Sequence, residues 1–588
     1  MSTANKIQHL IHRLEEGGWA VWIRRILLAS AILYVASAWM FKESGFRGLG
    51  HEKAMDQAQI AREIARGNGF ATQFLRPAAL GQFQSNLGSI PKGPIPDTFH
   101  VPLNPWINSW FLRLTSSTWT MSTADVVYLS DKVLATVQLL FYLLAVLTNY
   151  FTLRRLFDER LALLASGLLL LCETFWDFSM AGLPQMLLLL LFSLAVHAMT
   201  RLLEERQAAR GTLRWSALLG ILFGLLSLTH PLALFLFIGA LLWSLAFLRP
   251  WGRDAAALLA AWALVFSPWL ARNHAVCGNP LGIIWHPALA EIRGSESQIL
   301  RSSHLEQALE GITPRTFLLK VRTQVIAQFG GIYGLLGGIL VAPAFFIALL
   351  HAFRRPETAL LRWWILTLWL FAVLGMGVAG LEPHRPGIHP MHVKANDLHV
   401  LFIPVMTAYG LAFVLVLWTR LELASPLLRR GFLALLYFVS ALPFLSQLLE
   451  LHRAQPLRVH WPPYVPPYIS LLGRWMEPNE IVLSDMPWAV AWYADRRSLW
   501  LPLTRNEYLS LHTFNSLGGP INGLYLTPLT GNRPFWSEIG RGEFAEWAPF
   551  VLHQADVGSF PLRVSTAMPM NDECVFYADK PRWNTSTP

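Results

Sequence analysis

The chain alternates long apolar runs with short polar connections, and this pattern bounds its fold more tightly than any other feature. Backbone N–H and C=O groups find no water partner in lipid, so an apolar run of about 20 residues there has to be a helix. Eleven such runs are expected, at 26–42, 131–153, 160–176, 183–200, 215–229, 231–248, 254–270, 326–351, 361–380, 398–419 and 431–449. With 54% hydrophobic and 14% charged residues among 588, the composition fits a polytopic membrane protein and not an ordinary soluble domain.

The arginines set an orientation. With the N-terminus in the cytoplasm, the inside segments hold Arg24 and Arg25, Arg154 and Arg155, Arg201, Arg206, Arg210 and Arg214, Arg249 and Arg253, Arg354 and Arg355, and Arg420, Arg429 and Arg430. The short outside connections at 177–182 and 230 carry no Lys or Arg, and the one at 381–397 carries Arg385 and Lys394. This places the segments 43–125 and 271–325, and everything after 450, outside. The net charge of +10 is largely this inside bias. No basic soluble face with interleaved aromatics accompanies it, so nucleic acid is not an expected partner. Residues 5–22 read as an interfacial helix within a cytoplasmic segment 1–25, feeding a first span that stays as an anchor because no small-residue cleavage site follows it. Cys277 and Cys574 share the outer side without a cysteine-dense module around them and are expected to stay unpaired; Cys172 lies in a span.

The first outer loop has internal order. Residues 56–66 set Ile60 and Ile64 on one helical face, with Gln57, Arg62, Glu63 and Arg66 able to face water, and Gly67-Asn68-Gly69 ends the helix. Residues 106–115 suit a second helix lying along the membrane surface, anchored by Trp106 and Trp110. Past a Pro/Tyr stretch at 461–468, strands are expected at 481–485, 498–502, 523–527, 551–552 and 575–577, with a helical stretch at 487–494. The fold expected is therefore an all-α polytopic membrane domain, 26–449, followed by a small α/β domain outside the membrane, 450–588.

Asp56 is the sharpest candidate for chemistry. Glu52 and Lys53 lie one turn upstream, and Glu173 and Asp177 sit at the outer end of the third span. A transfer centre needs a carboxylate to take a proton from an acceptor hydroxyl, and cations or a metal to stabilise a leaving phosphate. The outer mouth offers Arg272 and Asn273, His230, His100, Arg385 and Lys394. Each has an ordinary reading when taken singly: Asp56 as a first-turn helix acid, Arg272 as a snorkelling arginine, His230 as a packed turn histidine. Their shared face is what gives the group weight. Asp397, beside His399, is a further acid on this face whose default is a cap. In the tail, Asp485 reads as a helix-capping acid and Asp495 as a surface acid.

The run from Met55 to Phe70, an acid followed by a helix ending in Gly67-Asn68-Gly69-Phe70, resembles the first outer-loop motif of the GT-C superfamily of membrane glycosyltransferases. The nearest branch is the dolichyl-phosphate-mannose–protein mannosyltransferase and aminoarabinose-transferase-like one, glycosyltransferase family 39. His100-Val101-Pro102-Leu103-Asn104-Pro105 resembles that family's Pro-Pro-Leu-Tyr-Pro segment. Ser179, Gly182 and Gln185 resemble its Ser-x-x-Gly-x-x-Glu pattern, Thr229-His230-Pro231 its Thr-Arg-Pro, and Pro268-Trp269-Leu270-Ala271-Arg272-Asn273 with Gly278-Asn279-Pro280 its Pro-Trp-x-x-Arg-Asn and Gly-Asn-Pro. The likeness runs in order over about residues 25–420, and the tail run Ser484–Arg496 also resembles bacterial members.

The resemblance implies transfer of a sugar from a polyprenyl-phosphate carrier to a lipid, glycan or protein acceptor of the cell envelope, on the periplasmic side of a bacterial inner membrane. Asp56 matches the family's catalytic acid, while Arg272, His230 and Arg76, with His100, Asn273 and Asp397 near them, are candidates for the substrate. Arginine suits phosphate best because its planar fork binds two oxygens at once. This chain departs from the pattern in carrying Gln57, Gln185 and His230 where the family has Glu, Glu and Arg. Those exchanges leave a divalent cation, Mg²⁺ or Mn²⁺, an open matter, with Glu52 and Asp177 as the acids to replace the missing ones. Two other readings stand beside the transferase: a flippase for lipid-linked saccharide, which would have broken spans or mid-membrane polar residues, and a non-catalytic assembly protein on the same shell.

Overall fold

The computed structural model describes the chain except residues 1–17, 44–45, 47, 92, 123–124, 126, 249–251, 293, 304–311, 382–392, 421–425, 454–464, 514–516, 528–544, 559, 569–570 and 584–588. Most of the expected 5–22 helix, and Arg385, fall outside the described residues. Among the described residues, six helices are long and apolar enough to cross a membrane: Arg25–Lys42, Leu129–Leu156, Gln185–Gln207, Arg253–Cys277, Pro356–Ala379 and Ile403–Arg420. The pair Glu159–Leu170 and Glu173–Ala181 is long and apolar enough only when taken together, and is bent by 51° at its break. Leu213–Ser227, Ala233–Phe247 and Arg430–Ser446 are shorter apolar helices, with lengths of 10–17 residues, and coincide with three further expected runs.

The expected run 326–351 does not form one helix. It divides into the end of Pro314–Gly330, the turn Ile332–Leu335 and the short Ala344–Ala348. The cause lies in its glycines and Pro343. Gly337 and Gly338 take φ of +74° and +64°, which no helix accommodates, and Pro343 cannot donate to a preceding turn. The break lets the backbone approach its neighbours: Gly410 of the Ile403–Arg420 helix lies so close to the Val341 carbonyl that a Cβ there would collide with it.

The described strands are β1 (Phe74–Leu75), β2 (Ile481–Ser484), β3 (Arg497–Trp500), β4 (Ile521–Leu526), β5 (Val564–Met568) and β6 (Asn571–Ala578). They form one sheet in the order β1-β3-β2-β4-β6-β5. The first four run parallel, while β5 and β6 are antiparallel. The expected strand at 551–552 is instead the end of the helix Ala548–Val551. The edge strand β1 comes from the first outer loop and pairs with Ser498 and Leu499. The loop after the first span and the tail, more than 400 residues apart, therefore share one sheet and its buried core of Leu75, Leu80, Phe83, Leu483, Leu499 and Leu524.

The helix Glu52–Arg66 is clamped between the helix Leu103–Leu114 and the tail's short helical segment 487–494. His51 caps its start by accepting from the Lys53 amide at 3.1 Å, and Gly67, at φ +89°, closes it in the left-handed conformation. Its polar residues do not face water as expected: Gln57, Arg62 and Glu63 are all buried. A helix covered on both sides has no wet face, so each of these groups needs a partner inside the protein. Arg62 donates to the carbonyls of Ala491 and Trp492 at 2.6 and 2.8 Å, and Arg66 pairs with Asp495 at 2.5 Å. Asp495, expected as a surface acid, is thus the tail's ionic contact with the first loop. Asp485 is buried and accepts from the Thr527 amide and hydroxyl rather than capping a helix. None of the three cysteines forms a disulfide, and all three are buried.

Candidate active site

Asp56 occupies the first turns of the Glu52–Arg66 helix and is 1% exposed. Its Oδ2 accepts from the Arg76 guanidinium and from His100 Nε2, the latter at 2.6 Å, and its Oδ1 accepts from Gln59 at 3.1 Å. Burial alone would raise the carboxyl's pKa. Arg76 and His100 outweigh that and hold it well below the usual carboxylate range.

Arg76 precedes the helix Pro77–Leu87 and is held on both faces, its guanidinium carbon 4.0 Å from the Phe74 ring centroid and 4.1 Å from that of Phe99. Its second nitrogen faces Asp97 at 3.7 Å. Asp97 in turn accepts from the backbone amides of Phe99 and His100 at 3.1 and 2.6 Å, which fixes the turn that carries the imidazole. Sequence reasoning misses Asp97. Its only signal is a position three residues before His100 in a Pro-flanked turn, where Asp commonly accepts local backbone amides.

Arg272, near the end of the Arg253–Cys277 helix, reaches the same turn from the other side. It donates to the carbonyls of Asp97 and Phe70 at 2.7 and 3.1 Å and to Asn273 at 2.8 Å. Arg272 and Arg76 thus both reach Asp97, and Arg76 in turn reaches Asp56.

A narrow cleft of about 60 Å³ opens beside this cluster. Lys53, Gln57 and His100 line it from the first loop, Thr229 and His230 from the turn after Leu213–Ser227, and Trp285 and Asn396 from later connections. His230 donates through Nε2 to the Ala395 carbonyl at 3.1 Å, and Gln185 donates to the same oxygen. Both positions therefore secure the 393–397 connection. Asp397 is buried next to it and accepts from the His399 amide at 2.8 Å; burial pushes its carboxyl up to about 7. Glu52 is half-buried in the first turn of the Asp56 helix, and Asp177 is buried in Glu173–Ala181. Neither is among the residues that line the cleft.

The donor set around Asp56 does not suit a divalent cation. Such an ion wants several charged or carbonyl oxygens, and here a guanidinium, an imidazole N–H and an amide NH₂ already converge on the carboxylate. Among the described residues, no group of three or more His, Cys, Asp and Glu could hold a metal.

Residues 100–271 match the family model of the dolichyl-phosphate-mannose-protein mannosyltransferases. In fold the chain is similar to ArnT from Cupriavidus metallidurans bound to undecaprenyl phosphate, with a TM-score of 0.52 and 13% identity over 97% of this chain and 100% of that one. The chain therefore has the fold of these membrane proteins, and a stretch of it matches the mannosyltransferase family model. The apo state of the same ArnT gives a TM-score of 0.52 at 12% identity, covering 95% of this chain and 98% of that one. The Archaeoglobus fulgidus oligosaccharyltransferase in complex with Zn and sulfate gives 0.51 at 13% identity, covering 88% and 71%. No curated protein sequence matches. The matched segment begins at His100 and ends just before Arg272, so it spans the turn, the cleft walls from 183 to 232 and the helix that brings Arg272 to Asp97.

Proposed function

We propose that this protein is a membrane glycosyltransferase that moves a sugar from a polyprenyl-phosphate carrier to an envelope acceptor, at the outer face of a bacterial inner membrane. The observation that carries the reading is the Asp56–Arg76–His100 cluster, set behind a cleft at the ends of the apolar helices. A carrier whose chain is apolar and whose phosphate is charged needs a reacting site at such a boundary. Lys53 lines the cleft where a phosphate would enter, and Trp285 and Phe99 offer apolar faces of the kind sugar rings pack against. The bound undecaprenyl phosphate of the ArnT structure agrees with this donor class.

The arginines support the sidedness. Arg155 pairs with Glu204 and accepts through its carbonyl from Arg355, and Arg201 and Arg214 pair with Glu204 and Glu205. These groups gather at the helix ends opposite the cleft, as the cytoplasmic face would require. The break at 330–343 is a feature a flippase would also have, but its residues from Gly330 to Pro343 include no charged side chain, so it offers no polar path.

The test is of donor class. Purified protein is given radiolabelled sugars on polyprenyl phosphate or on nucleoside diphosphate, with a membrane extract as acceptor. Label should move from the lipid-linked donors only; transfer from the nucleotide donor alone would reject the proposal.

A further inference from the structure

Asp56 accepts bonds from three side chains and does not line the cleft, whereas His100, bonded to it, does. We propose, on the reading above that this cleft transfers glycosyl groups, that His100 is the catalytic residue that takes the acceptor's proton and that Asp56 is the positioning residue behind it.

The hydrogen bonds fix the imidazole's state. An ionised carboxylate at Nε2 requires that nitrogen to carry the proton, which leaves Nδ1 bare. Nδ1 faces the Gln57 amide at 3.5 Å, a long contact, and Gln57 also lines the cleft. The Gln57 carbonyl is taken by Asn104 at 2.6 Å, so its NH₂ is the end turned toward Nδ1. Gln57 thereby turns a donor, not an acceptor, toward Nδ1. A carboxylate in place of that amide would instead call for a proton on Nδ1.

Arg76 is shared between the carboxylates of Asp56 and Asp97, so a proton arriving on His100 meets the Asp56 carboxylate directly, while Lys53 is the cation on the cleft wall. Asp56 itself is a poor base here, because Arg76 and His100 hold its carboxyl low.

In the step, a lone pair of the acceptor hydroxyl forms a bond to the anomeric carbon while its proton passes to His100 Nδ1. The bond from that carbon to the phosphate oxygen breaks, and its electron pair leaves with the carrier phosphate. Asp56 stabilises the imidazolium through Nε2, and the proton then leaves to solvent.

The experiment uses the full-length protein in detergent with a polyprenyl-phosphate sugar and membrane extract. His100→Ala should transfer about 100-fold more slowly or worse, added imidazole should restore part of the rate, and carrier-lipid affinity should stay within about threefold. His100→Asn, which keeps a polar side chain at the site, should be as slow at a temperature where it stays folded. Independently of turnover, diethyl pyrocarbonate should modify His100 in the wild type, read by mass spectrometry. A variant rate within about fivefold of wild type, loss without imidazole rescue, or an unmodified His100 would each overturn the proposal. An inactive wild type with a modified His100 would instead count against the transferase reading.

Discussion

The imidazole of His100 stands 2.6 Å from the carboxylate of Asp56, joining a Pro-flanked turn to a helix residue 44 positions earlier in the chain. Behind that contact Arg76 closes the group, and in front of it the cleft opens. All three side chains are buried together, so none can be altered singly without cost.

Replacing Asp56 by Asn would leave the Arg76 guanidinium buried with Asp97 as its remaining carboxylate, 3.7 Å away. Breaking one side of a buried pair costs about 3–5 kcal/mol, while replacing both sides is milder. Asp56→Asn and Arg76→Met should therefore each lower the unfolding midpoint in detergent, and the double variant should unfold above the less stable of the two. Additive losses would show that the pair is not coupled.

Acid should loosen the contact between the first loop and the tail. Burial would raise the Asp495 carboxyl, but Arg62 and Arg66 depress it well below its usual range. A depressed carboxylate contributes stability that is complete above its unfolded pKa of about 3.9 and is lost as pH falls through the folded value. Hydrogen exchange over 490–496 should thus be unchanged between about pH 7 and 5, once corrected for the intrinsic rate, and rise only at strongly acidic pH. Asp495→Asn should raise it already between about pH 7 and 5. Faster corrected exchange already at about pH 6 in the wild type would contradict the assignment.

Chelation should leave transfer unchanged. Arg76, His100 and Gln59 already use the Asp56 oxygens, so the reaction here relies on fixed protein charge. A rate that falls with EDTA and returns with Mg²⁺ or Mn²⁺ would refute this.

Gly410 tests the break in the 326–351 segment. A Cβ at this position would meet the Val341 carbonyl, so Gly410→Ala should push the broken segment from the Ile403–Arg420 helix and lower the unfolding midpoint. An unchanged midpoint would mean that the two do not approach as described.

Much of this fold is legible in the sequence, and the rest shows what a linear reading misses. Apolar length marks the spanning helices, because lipid imposes helix on any such run. It fails at 326–351, where Gly337, Gly338 and Pro343 break a run that hydropathy alone scores as continuous. Asp56, His100 and Arg272 stand out by their types and positions, and Arg76 through the family resemblance. Their pairing does not, because Arg76 and His100 read as free cations until the fold brings them onto Asp56. Arg62 reads as solvent-facing, since nothing in its own helix reveals that Ala491 and Trp492 will cover it. The strand at Phe74–Leu75 is two residues long, too short for any alternation to mark.

The role of the Asp56–His100 pair is tested most directly by transfer itself, compared between the wild type and Asp56→Asn at a temperature where both stay folded. The donor is a radiolabelled polyprenyl-phosphate sugar, the acceptor a membrane extract. Asparagine keeps a hydrogen-bond acceptor for His100 but removes the charge that stabilises its protonated form. The wild type should label the extract, and the variant should do so about 100-fold more slowly or worse, with carrier binding retained. A variant that transfers at the wild-type rate would contradict the pairing of Asp56 with His100 in catalysis.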